Sequence, residues 1–261
     1  MSEGPSTVLV IGATGSVGRL VVEEAIRAGY AVRALVRDID RARGLPAQAE
    51  PAVGDLTKPA SLSAAVDGVD AIVFTHGCDG AGKVGAESID YGGLRNVLAA
   101  LGGRPARIAL MTAIGVTDRT GAYNRATQAH DWKRRAERLV RASARPYTIV
   151  RPGWFDHNDP DQHRLVLLQG DTRRAGDPSD GVVARRQIAE VLVRSLSADT
   201  AMRKTFELVA QRGPPPDDLD ALLRALDTDP PGALDGVRDT DNMPLAQEPT
   251  RVCDDLAALA R

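Results

Sequence analysis

The most constraining feature of the chain is a glycine triplet, Gly12-Ala-Thr-Gly15-Ser-Val-Gly18, set between an apolar run and an amphipathic stretch. Thr7-Val8-Leu9-Val10-Ile11 is short, continuously apolar and rich in β-branched residues, which predicts a strand buried on both faces. Leu20, Val21, Ala25, Ile26 and Ala28 then recur at helical spacing and stop at Gly29, a candidate C-cap. A strand–turn–helix context gives each glycine a separate task. Gly12 permits the tight turn, Gly15 lets the backbone approach a pyrophosphate without a Cβ clash, and Gly18 lets the helix pack against the strand. The helix N-terminus presents free N–H groups and a partial positive charge to phosphates. Thr14 and Ser16 can add hydroxyl donors, and Val17 belongs to the same first turn.

The same alternation continues. Ala31 to Val36, Ala49 to Val53 (weakly), Asp70 to Thr75, Arg107 to Thr112 and Pro146 to Val150 read as strands. Ser61 to Val66 reads as a short helix behind Pro59. Leu94 to Leu101 reads as another, and Trp132, Ala136, Leu139 and Val140 mark one face of a third. Strand-then-helix repeated predicts an α/β fold, a Rossmann-type doubly wound parallel sheet. A chain of 261 residues, 43% apolar and 26% charged, suits one large domain with a real core and excludes disorder as the default. The net charge of −2 gives no reason to expect nucleic acid or an anionic membrane as partner, and no apolar run approaches a membrane span. Two cysteines make no disulfide framework, and the N-terminus has no basic leader region, so the expected location is the cytoplasm. Four histidines and two distant cysteines give no metal-ligand spacing. No Gly-x-Ser-x-Gly elbow is present, and the glycine loop lacks the Gly-Lys-Ser/Thr ending of an NTP-hydrolysing loop.

The residue closing the second strand selects between nicotinamide cofactors. Asp or Glu there usually accepts bonds from the adenine ribose. Here the position is Arg37, whose guanidinium can bind a 2′-phosphate that a carboxylate would repel. NADP is therefore expected, with Asp38 next door keeping NAD as the alternative.

The last part of the chain differs. From Gly213 onward four basic residues face eleven acidic ones, a local charge of −7, which leaves +5 for residues 1–212. Seven of the 16 prolines lie there too, around two short helical patterns, Leu219 to Leu226 and Val252 to Leu259. The expected organisation is a Rossmann domain over 1–212 and a small C-terminal appendage over 213–261. The appendage would pack on that domain or on a second subunit, which leaves a homodimer open.

Four segments in order carry a resemblance: Val8-Leu9-Val10-Ile11-Gly12-Ala13-Thr14-Gly15, Gly54-Asp55-Leu56, Tyr147-Thr148-Ile149-Val150-Arg151-Pro152-Gly153 and Arg185-Arg186-Gln187-Ile188-Ala189. Over roughly residues 7–210 the chain resembles the atypical short-chain dehydrogenase/reductases of the NmrA-like NAD(P)-binding branch. The resemblance implies that Asp55 and Leu56 line the adenine pocket. It implies that Thr75, His76 and Gly77 meet the cofactor's ribose and phosphates. Thr112 would be the catalytic Ser/Thr, and Lys133 the lysine of the Tyr-x-x-x-Lys motif, on the ribose. Pro152 and Gly153 would offer backbone groups to the carboxamide.

The pattern breaks at one place. Four residues before Lys133 stands Ala129, where the family motif has its proton-donating tyrosine, and a methyl group exchanges no proton. Candidate substitutes are His76, Tyr123, His130 and Asp131, of which His76 lies beside the expected cofactor. The alternative for Lys133 is a solvated basic face, since Arg134, Arg138, Arg141 and Arg145 recur nearby. Trp154 and Phe155 could floor a substrate pocket or belong to the core. The sequence thus points to an NADPH-dependent reductase of a small apolar or conjugated molecule, or to a non-catalytic NADP(H)-binding sensor.

Overall fold

The computed structural model describes residues 6–78 and 80–259. In chain order the elements are β1 (Thr7–Ile11), α1 (Ser16–Arg27), β2 (Ala31–Val36), β3 (Ala49–Val53), β4 (Ala71–Phe74), α2 (Gly82–Gly85), α3 (Gly92–Leu101), β5 (Arg107–Met111), α4 (Ala122–Thr127), α5 (Ala129–Ala142), β6 (Tyr147–Pro152), β7 (Trp154–Phe155), β8 (Arg164–Leu168), β9 (Val182–Val183), α6 (Arg185–Arg194), β10 (Lys204–Gln211), α7 (Leu219–Arg224) and α8 (Thr250–Leu259). Seven strands run parallel in the order β3-β2-β1-β4-β5-β6-β10. Beyond them β8 and β9 pair antiparallel with β10, and β7 lies beside β9.

Period-two alternation in β1 feeds two separate cores. Val8 and Val10 pack with Val21, Val22, Ile188 and Leu192 under α1 and α6. Leu9 and Ile11 face the other way, toward Leu94, Leu98, Leu139 and Val140 of α3 and α5. This is the doubly wound Rossmann-type sheet that the alternation predicts, and it puts the C-terminal ends of the central strands on one rim. No described helix is long and apolar enough to cross a membrane.

Two local differences have physical causes. The helix expected over Ser61 to Val66 is a single 3₁₀ turn, Pro59–Ser61, followed by turns. The Ser61 hydroxyl donates to the Lys58 carbonyl and accepts from Asp55 N, so it competes with helical bonding. The second difference is a π-helical turn, Ala86–Tyr91, immediately before α3. Such turns concentrate at functional sites.

The arginines of α5 do not form a solvated face. Arg134, Arg135, Arg138 and Arg141 are all buried, under residues 229–248. Arg134 and Arg138 share Asp235, Arg135 meets Glu248 at 2.7 Å, and Arg141 meets Asp229. Arg151, wholly buried on β6, bridges Glu137 and Asp239 at 2.7 Å each. The excess charge of the two chain segments meets in this one interface.

Candidate cofactor site

The glycine loop has the geometry that its spacing requires. Gly12 sits at φ +84, and a Cβ there would lie 2.8 Å from His76 N. A Cβ on Gly18 would lie 2.0 Å from the Gly12 carbonyl oxygen. Gly15 N donates to that same carbonyl at 2.9 Å, and α1 begins at Ser16 with no side-chain cap. Gly15 and Ser16 are exposed, while the Val17 side chain is buried, so Val17 contributes only its N–H to the first turn. The side chain of Thr14 is partly open beside them. An exposed, uncapped helix start with room left by glycine fits a pyrophosphate.

At the end of β2 the Arg37 side chain is exposed and forms no ion pair with a described carboxylate. The Asp38 carboxylate instead accepts from Asp40 N at 3.0 Å and caps the 3₁₀ turn Ile39–Gly44. Asp55 is bonded to Thr57 through backbone and hydroxyl, which holds its carboxyl below the usual range. Its second oxygen lies 3.9 Å from Lys58 Nζ. The Leu56 carbonyl accepts from Asn96 at 2.7 Å, and its side chain packs over Gly93.

The fourth strand ends in a compact polar group. Lys133 Nζ lies 3.3 Å from Asp90 Oδ1, and the same oxygen accepts from Cys78 N at 3.0 Å. A Cβ on the exposed Gly77 would sit 3.9 Å from that ammonium. Asp90 is the residue that the sequence reading missed. It comes from the π-helical turn, is 4% exposed, and its Oδ2 has no partner among the described residues.

Several expected roles are corrected by the bonds already made. Thr112 is buried, and its hydroxyl donates to Glu137 Oε1 at 2.7 Å, so it supports the buried ionic network rather than a substrate oxygen. Thr75 donates its hydroxyl inward to the Ile11 carbonyl at 3.0 Å. Pro152 O accepts from Ile114 N, and Gly153 N donates to Leu208 O. Gly153 is required by close approach, since a Cβ would lie 2.4 Å from Gly181 O.

His76 is not an acid at neutral pH. Its Nε2–H donates to the Ile89 carbonyl at 3.1 Å, which leaves the buried Nδ1 as an unpartnered acceptor. Burial pulls its pKa down to about 4, although Asp90 opposes the fall. Burial also lowers His130, which pairs with the exposed ring of Tyr123 at 5.1 Å. Asp131 is held by Arg119 and Asn124. Ala129 lies in the core at 2% exposure. Trp154 is partly exposed, edge-on to His157, and Phe155 lies under the Arg185 guanidinium. Arg185 Nε donates to Ser16 Oγ at 3.0 Å, tying α6 to the glycine loop.

The chain is similar to known proteins. Residues 12–199 match the NAD(P)H-binding family. The chain is 28% identical to the uncharacterized chloroplastic protein At2g37660 of Arabidopsis thaliana, over 86% of this chain and 76% of that one. It is 31% identical to TIC 62 of Oryza sativa over 80% of its length, but spans only 47% of TIC 62. It is 25% identical to the sanguinarine reductase of Eschscholzia californica, over 77% of this chain and 88% of that one. Among solved structures, a candidate NAD-dependent epimerase/dehydratase of Bacillus halodurans superposes with a TM-score of 0.68, at 24% identity, covering 81% of this chain and 96% of that chain. With the loop, the sheet and the match in agreement, the chain belongs to the NAD(P)H-binding family.

Proposed function

We propose that the chain is an NADPH-dependent reductase of a small apolar or conjugated substrate. The observation that carries the cofactor choice is the end of β2. Arg37 is open and makes no ion pair with a described carboxylate, while one carboxylate oxygen of Asp38, the group that would favour NAD, caps the following turn. A guanidinium there suits a 2′-phosphate. The reductase half rests on Lys133 at the rim and on the likeness to sanguinarine reductase.

When bound, the nicotinamide would supply hydride chemistry. The chain's residues do the rest. The first turn of α1 and Gly15 hold the phosphates, and Arg37 holds the 2′-phosphate. Lys133, fixed by Asp90, donates to a ribose hydroxyl or to an oxygen placed over Gly77. With Ala129 buried, Thr112 engaged and His76 neutral, Lys133 is the donor left beside Gly77 among the candidates. An acceptor whose negative charge is spread by conjugation needs less from a positioned acid than a simple carbonyl does.

The test is NADPH consumption by purified protein with quinones, enones, aldehydes and flavins. Turnover with conjugated acceptors, and little with simple aldehydes, is the expected result. Tight NADPH binding with no turnover across the panel would favour the second reading, a non-catalytic NADP(H)-binding sensor, which the loss of the tyrosine at position 129 supports. Absence of NADPH binding would defeat both.

A further inference from the structure

A cavity of about 760 Å³ opens at the end of the sheet opposite the rim. Its wall is built from the C-terminal end of α5, the start of β6, α8 and the loop from Pro230 to Leu234. That volume is of the order of small-molecule sites, which run from roughly 300 to 1,000 Å³. Leu234, Leu256 and Ala257 make the wall largely apolar. Arg145 and Arg203 also line it.

Their state sets them apart from the other arginines of the region. The buried arginines of α5 each face a carboxylate. Arg145 and Arg203 form no ion pair with a described carboxylate. Among the described residues the Arg145 guanidinium donates to the backbone carbonyls of Ser143, Gly102 and Arg104, and its buried Nε has no partner. Arg203 is exposed, with no described side-chain hydrogen bond, and its backbone is left-handed at φ +53. Ala144, also in the wall, is left-handed at φ +55. Such conformations in residues other than glycine concentrate where a fold shapes a site.

An apolar hollow edged by the exposed Arg203 guanidinium, with Arg145 beside it bonded to backbone carbonyls and no described carboxylate, is complementary to a molecule with an apolar body and one negative head. We propose that this cavity is a second ligand site, separate from the cofactor rim, for an amphipathic monoanion such as a medium-chain carboxylate. The site does not depend on the reductase reading.

Decanoate is the probe, titrated calorimetrically into the full chain, with 1-decanol as the uncharged control. Cys253 lines the cavity and reports locally through its rate of alkylation. We expect saturable one-to-one binding, with Cys253 protected and Cys78 at the rim unaffected. Arg203→Glu should weaken decanoate at least tenfold, and Ala257→Trp, which fills the cavity from an exposed position, should abolish binding. Both variants should keep the wild-type melting temperature and NADPH affinity. No saturable binding overturns the proposal. So does equal binding of decanol with no effect of Arg203→Glu, which would mark a merely greasy surface. A wild-type dimer that Ala257→Trp dissociates would assign the cavity to a second copy of the chain and overturn it as well.

Discussion

One helix, α5, serves two regions that treat charge in opposite ways. At the rim, Lys133 stands with a single carboxylate, partly open, beside exposed glycine backbone. One residue later Arg134 is wholly buried and bonded to Asp235, Asn242 and the Thr240 carbonyl. Lys133 keeps donor capacity for a ligand, whereas the arginines have used theirs on the protein. A helical step of about 100° separates the two fates. Basic residues in one stretch therefore divide by what lies opposite each face, and composition alone does not separate them.

The sharpest way to break the comparison is to remove a buried charge. Arg151→Met leaves Asp239 buried without its paired cation and Glu137 with only Arg141 at 3.4 Å, and should cost about 3–5 kcal/mol. Denaturant unfolding measures it, and a loss below about 1 kcal/mol would mean that the interface contributes no more than a surface ion pair. Gly15→Val is the matching experiment at the rim. Its Cβ would meet only the Gly12 carbonyl, at 3.2 Å, so the fold should survive while NADPH binding disappears. Calorimetry and thermal melting on the same sample separate the two effects, and retained binding would refute the phosphate-loop assignment. Arg37→Asp is milder. Because Arg37 is exposed, its loss should weaken NADPH by about tenfold, the low end for hydrogen bonds to charged groups, and improve NADH. Equal wild-type affinities for the two cofactors would defeat the preference.

The last test is a slope. Burial pushes Glu207 up to about 8, against the pull of Arg151. The folded chain therefore holds a proton that the unfolded chain releases near its ordinary value of 4.5. From that contribution, stability is full below pH 4.5, falls as pH rises toward about 8 and is flat beyond it. Glu207→Gln should remove that fall. Parallel curves of melting temperature against pH for the two proteins would exclude it.

What could be read from sequence followed range. The strands β1 to β6 and the glycine loop are local patterns, and apolar runs such as Val8 to Ile11 announce themselves. Arg37 and Lys133 could be nominated because strand ends and motif spacing are local too. Asp90 was missed because the π-helical turn rotates it inward, where a regular 3.6-residue period reads an isolated acid as surface. Thr112 and the α5 arginines were misjudged for a different reason. The partners of the arginines, Asp229 to Glu248, lie about a hundred residues away, and Thr112 is bound to Glu137 of the helix that those partners cover. The two-residue strands β7 and β9 carry too little pattern to be seen at all.

The buried interface also has a consequence for inheritance. The family match stops at residue 199, before the segment that neutralises α5 begins. Five arginines on α5 and β6 depend on that sequence-distant segment. A lineage that exchanged or shortened residues 229–248 would have to replace those arginines in the same steps, because each intermediate would strand buried charge. The two sets form one heritable unit divided between distant parts of the sequence. A graft of α5 into a relative would succeed only if Asp229, Asp235, Asp239 and Glu248 travelled with it.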